Sequence, residues 1–284
     1  MGGSPLAGAG AVVTGAGNGI GRALARRLAA EGARVVVNDL DAAAATAVAH
    51  EIGGHAAPGD CASSAGVAAL VEQANDALGR IDVFCANAGI DAGHAADGPG
   101  GLADPLGVPD ETWARMLETN VMAHVRAARA VVPGWLADGR GGRFVVTASA
   151  AGLLTMIGSA PYSVTKHAAV GFAEWLSVTY GDRGVVVQAL CPQGVRTRML
   201  EDAGPLTALL SRDAALEPED VATAWVDSLV DDRFLVLPHP EVADYYRARA
   251  RDTDRWLAGM RRLQAKVDAA VSTPATTPTT GRDA

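Results

Sequence analysis

Residues 11–31 read AVVTGAGNGIGRALARRLAAE, and this stretch decides the fold. Ala11–Thr14 is a short apolar run of strand length, and Asn18–Glu31 has the periodicity of a helix. The turn between them, Thr14-Gly15-Ala16-Gly17-Asn18-Gly19-Ile20-Gly21, is rich in glycine. Glycines allow a tight turn and let the backbone approach a pyrophosphate closely. The helix N-terminus that follows offers free N–H groups and a partial positive charge. A lone GxGxxG means little, but here it sits between a strand and a helix, the context the motif requires. Gly15, Asn18, Gly19, Ile20 and Gly21 are therefore candidate dinucleotide-binding residues, against the blander reading of a βα turn with no ligand.

Further strands are expected at Arg34–Asn38, His55–Pro58, Ile81–Ala86, Arg143–Thr147, Val185–Leu190 and Arg233–Leu237. Helices are expected at Asp41–Glu51 (capped by Asp41), Ser63–Leu78, Asp110–Leu136, Ser159–Tyr180 and Glu219–Val230. The strands are Val-rich and mostly non-alternating, as strands covered by helices on both faces are. Seven strands alternating with helices predict an α/β chain with a doubly wound, Rossmann-type parallel sheet. Residues 1–240 read as one domain and 241–271 as a helical extension of it. The Thr/Pro-rich 272–284 reads as a disordered tail. Asp91–Pro109 reads as a long loop, and Val195–Pro218 as irregular with apolar patches.

The second strand ends at Asp39, 18 residues after Gly21. A carboxylate there can accept hydrogen bonds from ribose hydroxyls and opposes a 2′-phosphate. Two like charges about 4 Å apart repel by roughly 4 kcal/mol at an effective dielectric near 20. Asn18 and Leu40 supply no compensating cation, so NAD is expected over NADP. The rival role for Asp39 is a helix cap beside Asp41.

The 284 residues carry a net charge of −8 and are 49% hydrophobic, enough for a sizeable core. No dense Lys/Arg block suggests nucleic acid or an anionic membrane as partner. No apolar run reaches transmembrane length, and MGGSPLAGAG lacks the features of a secretory signal. Cys61, Cys85 and Cys191 are too scattered for a zinc or redox pair, which fits a cytoplasmic location. Six scattered histidines give no metal-binding spacing, so no metal is expected. His94 falls in the long loop and reads as solvated, though it lies beside the expected pocket.

Tyr162 and Lys166 are four residues apart and share one helix face, and Ser149 stands 13 residues before Tyr162, just past a buried strand. The carboxyl ends of parallel strands are where ligands sit. A nearby ammonium is expected to lower the tyrosine pKa from its ordinary value near 10, and the cationic oxidised nicotinamide ring to act in the same direction. Tyr162 can then exchange a proton with a substrate oxygen that Ser149 orients. A Tyr/Lys pair alone is usually helix surface, and a Ser after a strand is usually a cap. Their conjunction with the glycine loop is what points to chemistry.

Together these motifs resemble the classical short-chain dehydrogenase/reductase family over about residues 8–240. Thr14–Gly21 looks like its TGxxxGxG, and Asn87-Ala88-Gly89 like its NAG motif, which supports the sheet and borders the cofactor. Asp60 matches its adenine-contacting Asp, with Cys61 beside it. Asn120 matches a fourth catalytic residue that anchors a proton-relay water near Lys166. Ser149, Tyr162 and Lys166 match the triad, in which Lys166 also holds the ribose. Pro192-Gln193-Gly194-Val195-Arg196-Thr197 is similar to its PGxVxT, whose Val195 and Thr197 hold the nicotinamide amide. Gln193 departs from the usual Gly, and Ala86 from a common Asn. The resemblance implies strand order 3-2-1-4-5-6-7, a homodimer or homotetramer, and reversible NAD-dependent oxidation of a secondary alcohol. A ketoreductase running mainly in reverse is the alternative, and a non-catalytic NAD-sensing protein is a rival of another class.

Leu153, Leu154, Met156, Ile157, Met199, Leu200, Leu206, Leu209 and Leu210 make the expected pocket walls apolar, which favours a bulky hydrophobic alcohol over a sugar. Val195–Leu210 is expected to order as a lid over bound ligands, against a permanently packed helix pair. Glu241–Asp268 is an amphipathic helical segment that covers its own subunit, caps the pocket or contacts another subunit.

Overall fold

The computed structural model describes residues 4–91, 106–202 and 214–272. The calls on His94, on most of Asp91–Pro109, on Leu206, Leu209 and Leu210, and on the tail lie wholly or largely outside these residues. So does half of the proposed lid.

The elements in chain order are β1 (Gly10–Val13), α1 (Gly19–Ala30), β2 (Arg34–Val37), α2 (Ala42–Ile52), β3 (His55–Ala56), α3 (Ser64–Leu78) and β4 (Val83–Ala86). They continue through α4 (Asp110–Leu117), a π-helical turn (Glu118–Met122), α5 (Ala123–Asp138), β5 (Gly142–Thr147), α6 (Ala160–Tyr180) and β6 (Val185–Leu190). Last come α7 (Arg198–Glu201), α8 (Pro218–Asp227), β7 (Leu235–Val236), α9 (Glu241–Arg251) and α10 (Thr253–Ser272). All strand pairs are parallel, in the order β3-β2-β1-β4-β5-β6-β7. The chain thus leaves β1 toward β2 on one side and returns as β4 on the other. This switch point opens a crevice above the carboxyl ends of both strands.

Consecutive strand residues serve opposite faces. Val12, Val36, Phe84, Phe144 and Val146 belong to one core cluster, and Ala11, Val13, Val35, Val37, Val83, Cys85 and Val145 to the other. This two-sided burial explains why the strands do not alternate apolar and polar residues. Phe84 and Phe144, registered on adjacent strands, stack with centroids 5.7 Å apart. Among the described residues no helix is long and apolar enough to cross a membrane.

Three boundaries differ from expectation. The edge strands β3 and β7 shrink to two residues each. The helix expected over Asp110–Leu136 is interrupted by the π turn and runs past Pro133 to Asp138. The C-terminal helix divides at Asp252, whose backbone turns extended (φ −152°, ψ 86°) and whose carboxylate accepts the Arg255 N–H at 3.0 Å. Asp252 therefore ends α9 and caps α10.

One buried polar knot sits under β6. Gln188, fully buried, accepts from Trp225 Nε1 (3.0 Å) and an Arg143 N–H (2.9 Å), and donates to Ser228 Oγ (2.9 Å) and the Arg233 carbonyl (3.1 Å). Gln188→Leu strands these partners in an apolar setting, so it should destabilise the fold by about 2–3 kcal/mol. A fall in the urea midpoint at constant slope is the expected result. An unchanged midpoint would contradict it.

Candidate active site

The glycine turn is held from below. Thr14 Oγ1 accepts the N–H groups of Asn87 (3.0 Å) and Ala88 (3.1 Å), and the Asn87 amide donates to the carbonyls of Thr14 (2.9 Å) and Gly15 (3.2 Å). Asn87-Ala88-Gly89 thus fastens the end of β4 to the loop after β1. Gly21 must be glycine, because a Cβ there would overlap the Gly15 carbonyl and stand 2.5 Å from the Asn87 amide nitrogen. Asn18 makes no side-chain capping bond at the start of α1, which leaves the first-turn N–H groups to a ligand.

Asp39 is fixed just past β2. One carboxylate oxygen accepts the Gly17 N–H at 2.8 Å and the other the Asp41 N–H at 3.0 Å, while Asp41 itself caps α2. The next turn is set by Asn38, a residue the sequence reading missed, which donates to the Ala57 (2.8 Å) and Gly59 (3.1 Å) carbonyls. Asp60 accepts from the N–H groups of Ala62 (2.8 Å) and Ser63 (3.1 Å), and these bonds hold its carboxyl below the usual range. Burial pushes the Cys61 thiol up to about 11, so it is a neutral neighbour.

Ser149, Tyr162 and Lys166 converge above β5. Ser149 Oγ donates to the Pro192 carbonyl at 3.4 Å and accepts the Ala151 N–H at 3.1 Å. Lys166, 3% exposed, donates to the Thr147 carbonyl at 3.0 Å, and its ammonium lies 5.5 Å from the Tyr162 ring centroid. The expectation that Lys166 lowers the Tyr162 pKa needs correction for the protein without ligand. Burial raises Tyr162 above its ordinary value, the Asp91 carboxylate adds to that, and the Ser149 hydroxyl opposes it only in part. Burial also brings Lys166 down to about 8. Burial thus opposes the charged form of both groups.

Asn120 lies in the π turn, fully buried. Its side chain donates to the Ile90 carbonyl (2.9 Å) and Thr165 Oγ1 (3.1 Å) and accepts the Ile90 N–H (2.8 Å). It ties the segment after β4 to the helix turn bearing Lys166. On the far side, the Pro192 carbonyl accepts the Ala150 N–H at 2.8 Å, and Val195 forms a parallel bridge with Leu216. The Gln193 N–H donates to His239 Nδ1 at 3.1 Å, so the residue that departs from glycine has its backbone held by the β7–α9 connection.

One cavity of about 770 Å³ joins these parts. It is lined by Gly15, Asn18, Gly19, Ile20, Gly21, Asp39, Asp60, Cys61, Asn87, Ala88, Gly89, Ser149, Tyr162, Lys166, Pro192, Val195 and Thr197. Of the expected catalytic and cofactor-binding residues Asn120 alone is not on its wall, since it acts from behind; Leu153, expected in the pocket wall, is instead buried in the core. Free N–H groups at α1, a carboxylate past β2 and the Ser149, Tyr162 and Lys166 cluster, continuous in one cleft, fit a dinucleotide with a small substrate beside it. Tyr245, Trp256, Met260 and Leu263 also line the cavity. They belong to the amphipathic segment Glu241–Asp268, whose three roles the sequence left open.

Residues 9–206 match the family model for the short chain dehydrogenases. The chain belongs to the short-chain dehydrogenase/reductase family. It is 37% identical over 250 residues to the 1-deoxy-11-beta-hydroxypentalenate dehydrogenase of Streptomyces exfoliatus, covering 85% of this chain and 86% of that protein. It is 34% identical over 211 residues to the (-)-trans-carveol dehydrogenase of Rhodococcus erythropolis, covering 68% and 73%. Among solved structures it resembles a short-chain dehydrogenase/reductase from Burkholderia phymatum in complex with NAD, with a TM-score of 0.77 and 27% identity over 89% of this chain and 96% of that one. This member of the family is thus an oxidoreductase with the family's fold and strand order.

Gly89 gives a test of the site's tolerances. A Cβ there would stand 3.2 Å from Lys166 Nζ and 3.3 Å from Asn120 Oδ1. Gly89→Ala should displace the ammonium by a few tenths of an ångström and lower kcat about tenfold. The thermal midpoint should barely move, since the lysine head can shift. A variant with full activity would show that the Lys166 position is not critical.

Proposed function

We propose that the protein oxidises a bulky, hydrophobic secondary alcohol to its ketone with NAD, reversibly. The observation that carries this reading is the single cleft that joins the helix N-terminus and Asp39 to Ser149, Tyr162 and Lys166. The glycine loop and α1 would hold the pyrophosphate, Asp39 the adenosine ribose, Asp60 and Cys61 the adenine edge, and Val195 and Thr197 the nicotinamide amide. Bound there, NAD supplies a hydride acceptor and a positive charge.

The chain's own residues handle the proton. Ser149 binds the substrate oxygen and Tyr162 takes its proton. Lys166 holds the ribose and, while charged, favours the phenolate. Asn120 keeps Lys166 and the Ile90 segment in place and anchors the relay. The alternative direction, ketone reduction, uses the same residues with Tyr162 as donor. A cytoplasmic location and a homodimer or homotetramer, in which residues 1–240 form one domain, complete the reading.

Three outcomes are expected. NAD should give a much higher kcat/KM than NADP, and Asp39→Ala should narrow the gap; equal use of both by the wild type would refute the cofactor assignment. Tyr162→Phe should lower turnover by at least about 10²-fold while NADH binding, followed by fluorescence, survives; near-normal turnover would rule Tyr162 out. The pH dependence follows from the raised Tyr162 pKa. Oxidation needs the tyrosine deprotonated, so its rate should climb with pH across the neutral range. Reduction needs it protonated, so that rate should stay level there. A rate of oxidation that falls with rising pH would contradict this.

A further inference from the structure

The C-terminal helices form part of the substrate pocket, and one arginine holds them in register. Trp256, Met260 and Leu263 stand at positions i, i+4 and i+7 of α10, so they share one face, and all three line the cavity with Tyr245 of α9. The same cavity is lined by Leu154, Met156 and Ile157 after β5 and by Leu200 of α7. Val267, the next residue of the α10 stripe, is buried. α9 is seated by the fully buried Val242, with Tyr246 packed against the same core. The segment expected to cover its subunit, to cap the pocket or to contact another subunit therefore faces the pocket of its own chain.

Arg249 is the fastening. Its guanidinium donates to the carbonyls of Leu153 and, at 3.3 Å, Leu154, and lies 5.3 Å from the Trp256 ring centroid. The same nitrogen lies 3.1 Å from His167 Nε2. His167 Nδ1 is 2.8 Å from the Ser163 carbonyl, which can only accept, so Nδ1 carries the proton and Nε2 accepts from Arg249. One side chain thus connects α9, the indole of α10, the backbone of Leu153 and of the cavity-lining Leu154, and α6 one residue after Lys166. A guanidinium is suited to this, since one terminal nitrogen donates to the polar groups while its planar face stacks on an aromatic ring.

We infer that Trp256, Met260 and Leu263 are specificity-determining residues that select a compact, ring-bearing apolar alcohol, and that Arg249 is the positioning residue that sets their wall. Flat indole and adaptable thioether surfaces reward a rigid apolar body that fills the cleft, whereas a small alcohol leaves this wall uncontacted.

The inference rests on the alcohol dehydrogenase reading, and its test separates the two. The ratio of kcat/KM for 2-adamantanol to that for 2-propanol is measured in wild type, Trp256→Ala, Arg249→Met and Arg249→Lys. The ratio should fall about tenfold or more in each variant, carried by KM for 2-adamantanol. Lysine should fail to rescue, because its shorter side chain ends in a compact ammonium with no planar face to stack on Trp256. An equal loss for both alcohols would make these residues merely structural and overturn the inference. If wild type oxidises neither alcohol, the dehydrogenase reading fails on this panel. The wall is then read by calorimetric binding of 2-adamantanol to the NADH-loaded protein. Binding weakened about tenfold or more in Trp256→Ala supports the wall, and no binding, or equal binding, overturns it.

Discussion

Desolvation of Lys166 and Tyr162 is the constraint on which the site depends. Both are ionisable, both are removed from water, and each pays for charge formation with lost hydration. The protein without ligand therefore keeps the phenol protonated and brings the lysine down to about 8. The cost is useful because it makes the ionisation of Tyr162 responsive to what enters the cleft. A cation arriving beside the ring changes the balance far more in this setting than it would in water.

The rest of the architecture keeps this arrangement in place. β4 and β5 carry Asn87 and Ser149 to neighbouring positions at the carboxyl edge of the sheet. Asn87 and Thr14 lock the glycine loop to β4, and Asn120 locks the Ile90 segment to α6. These bonds use up the polar groups that would otherwise be stranded at the base of the cleft, and they leave the α1 N-terminus and the Ser149 and Tyr162 hydroxyls facing it. The order of the strands creates the crevice, and the two-sided core beneath makes its floor rigid.

Much of this was legible in the sequence because it is local. The glycine turn sits between its strand and helix, Asp41 stands where a cap belongs, and Tyr162 and Lys166 lie one turn apart. Valine-rich strands announced a sheet buried on both faces. What escaped depends on contacts between distant residues. Arg249 reaches Leu153 and Leu154 across 96 and 95 positions, and nothing near Arg249 in the chain points to them. The π turn around Asn120 has no breaker residue to mark it. Asn38 read as the end of a strand, although its amide sets the Gly59–Asp60 turn. Two signals were available: the Asp252-Thr253 pair is a plausible helix cap, and the 256/260/263 spacing defines a face. The ionisation state of Tyr162 was misread because proximity to Lys166 is visible in sequence and depth of burial is not.

The direct test is the titration of Tyr162 itself, followed by NMR on protein labelled with 13C at tyrosine Cζ, with Tyr162→Phe assigning the signal. The account predicts that in the protein without ligand Tyr162 remains a phenol to above the ordinary tyrosine value near 10. Saturating NAD should bring its midpoint down toward neutrality. A Tyr162 that titrates at or below the ordinary value without ligand, or that does not respond to NAD, would contradict the claim that burial sets the proton and the cofactor's charge releases it.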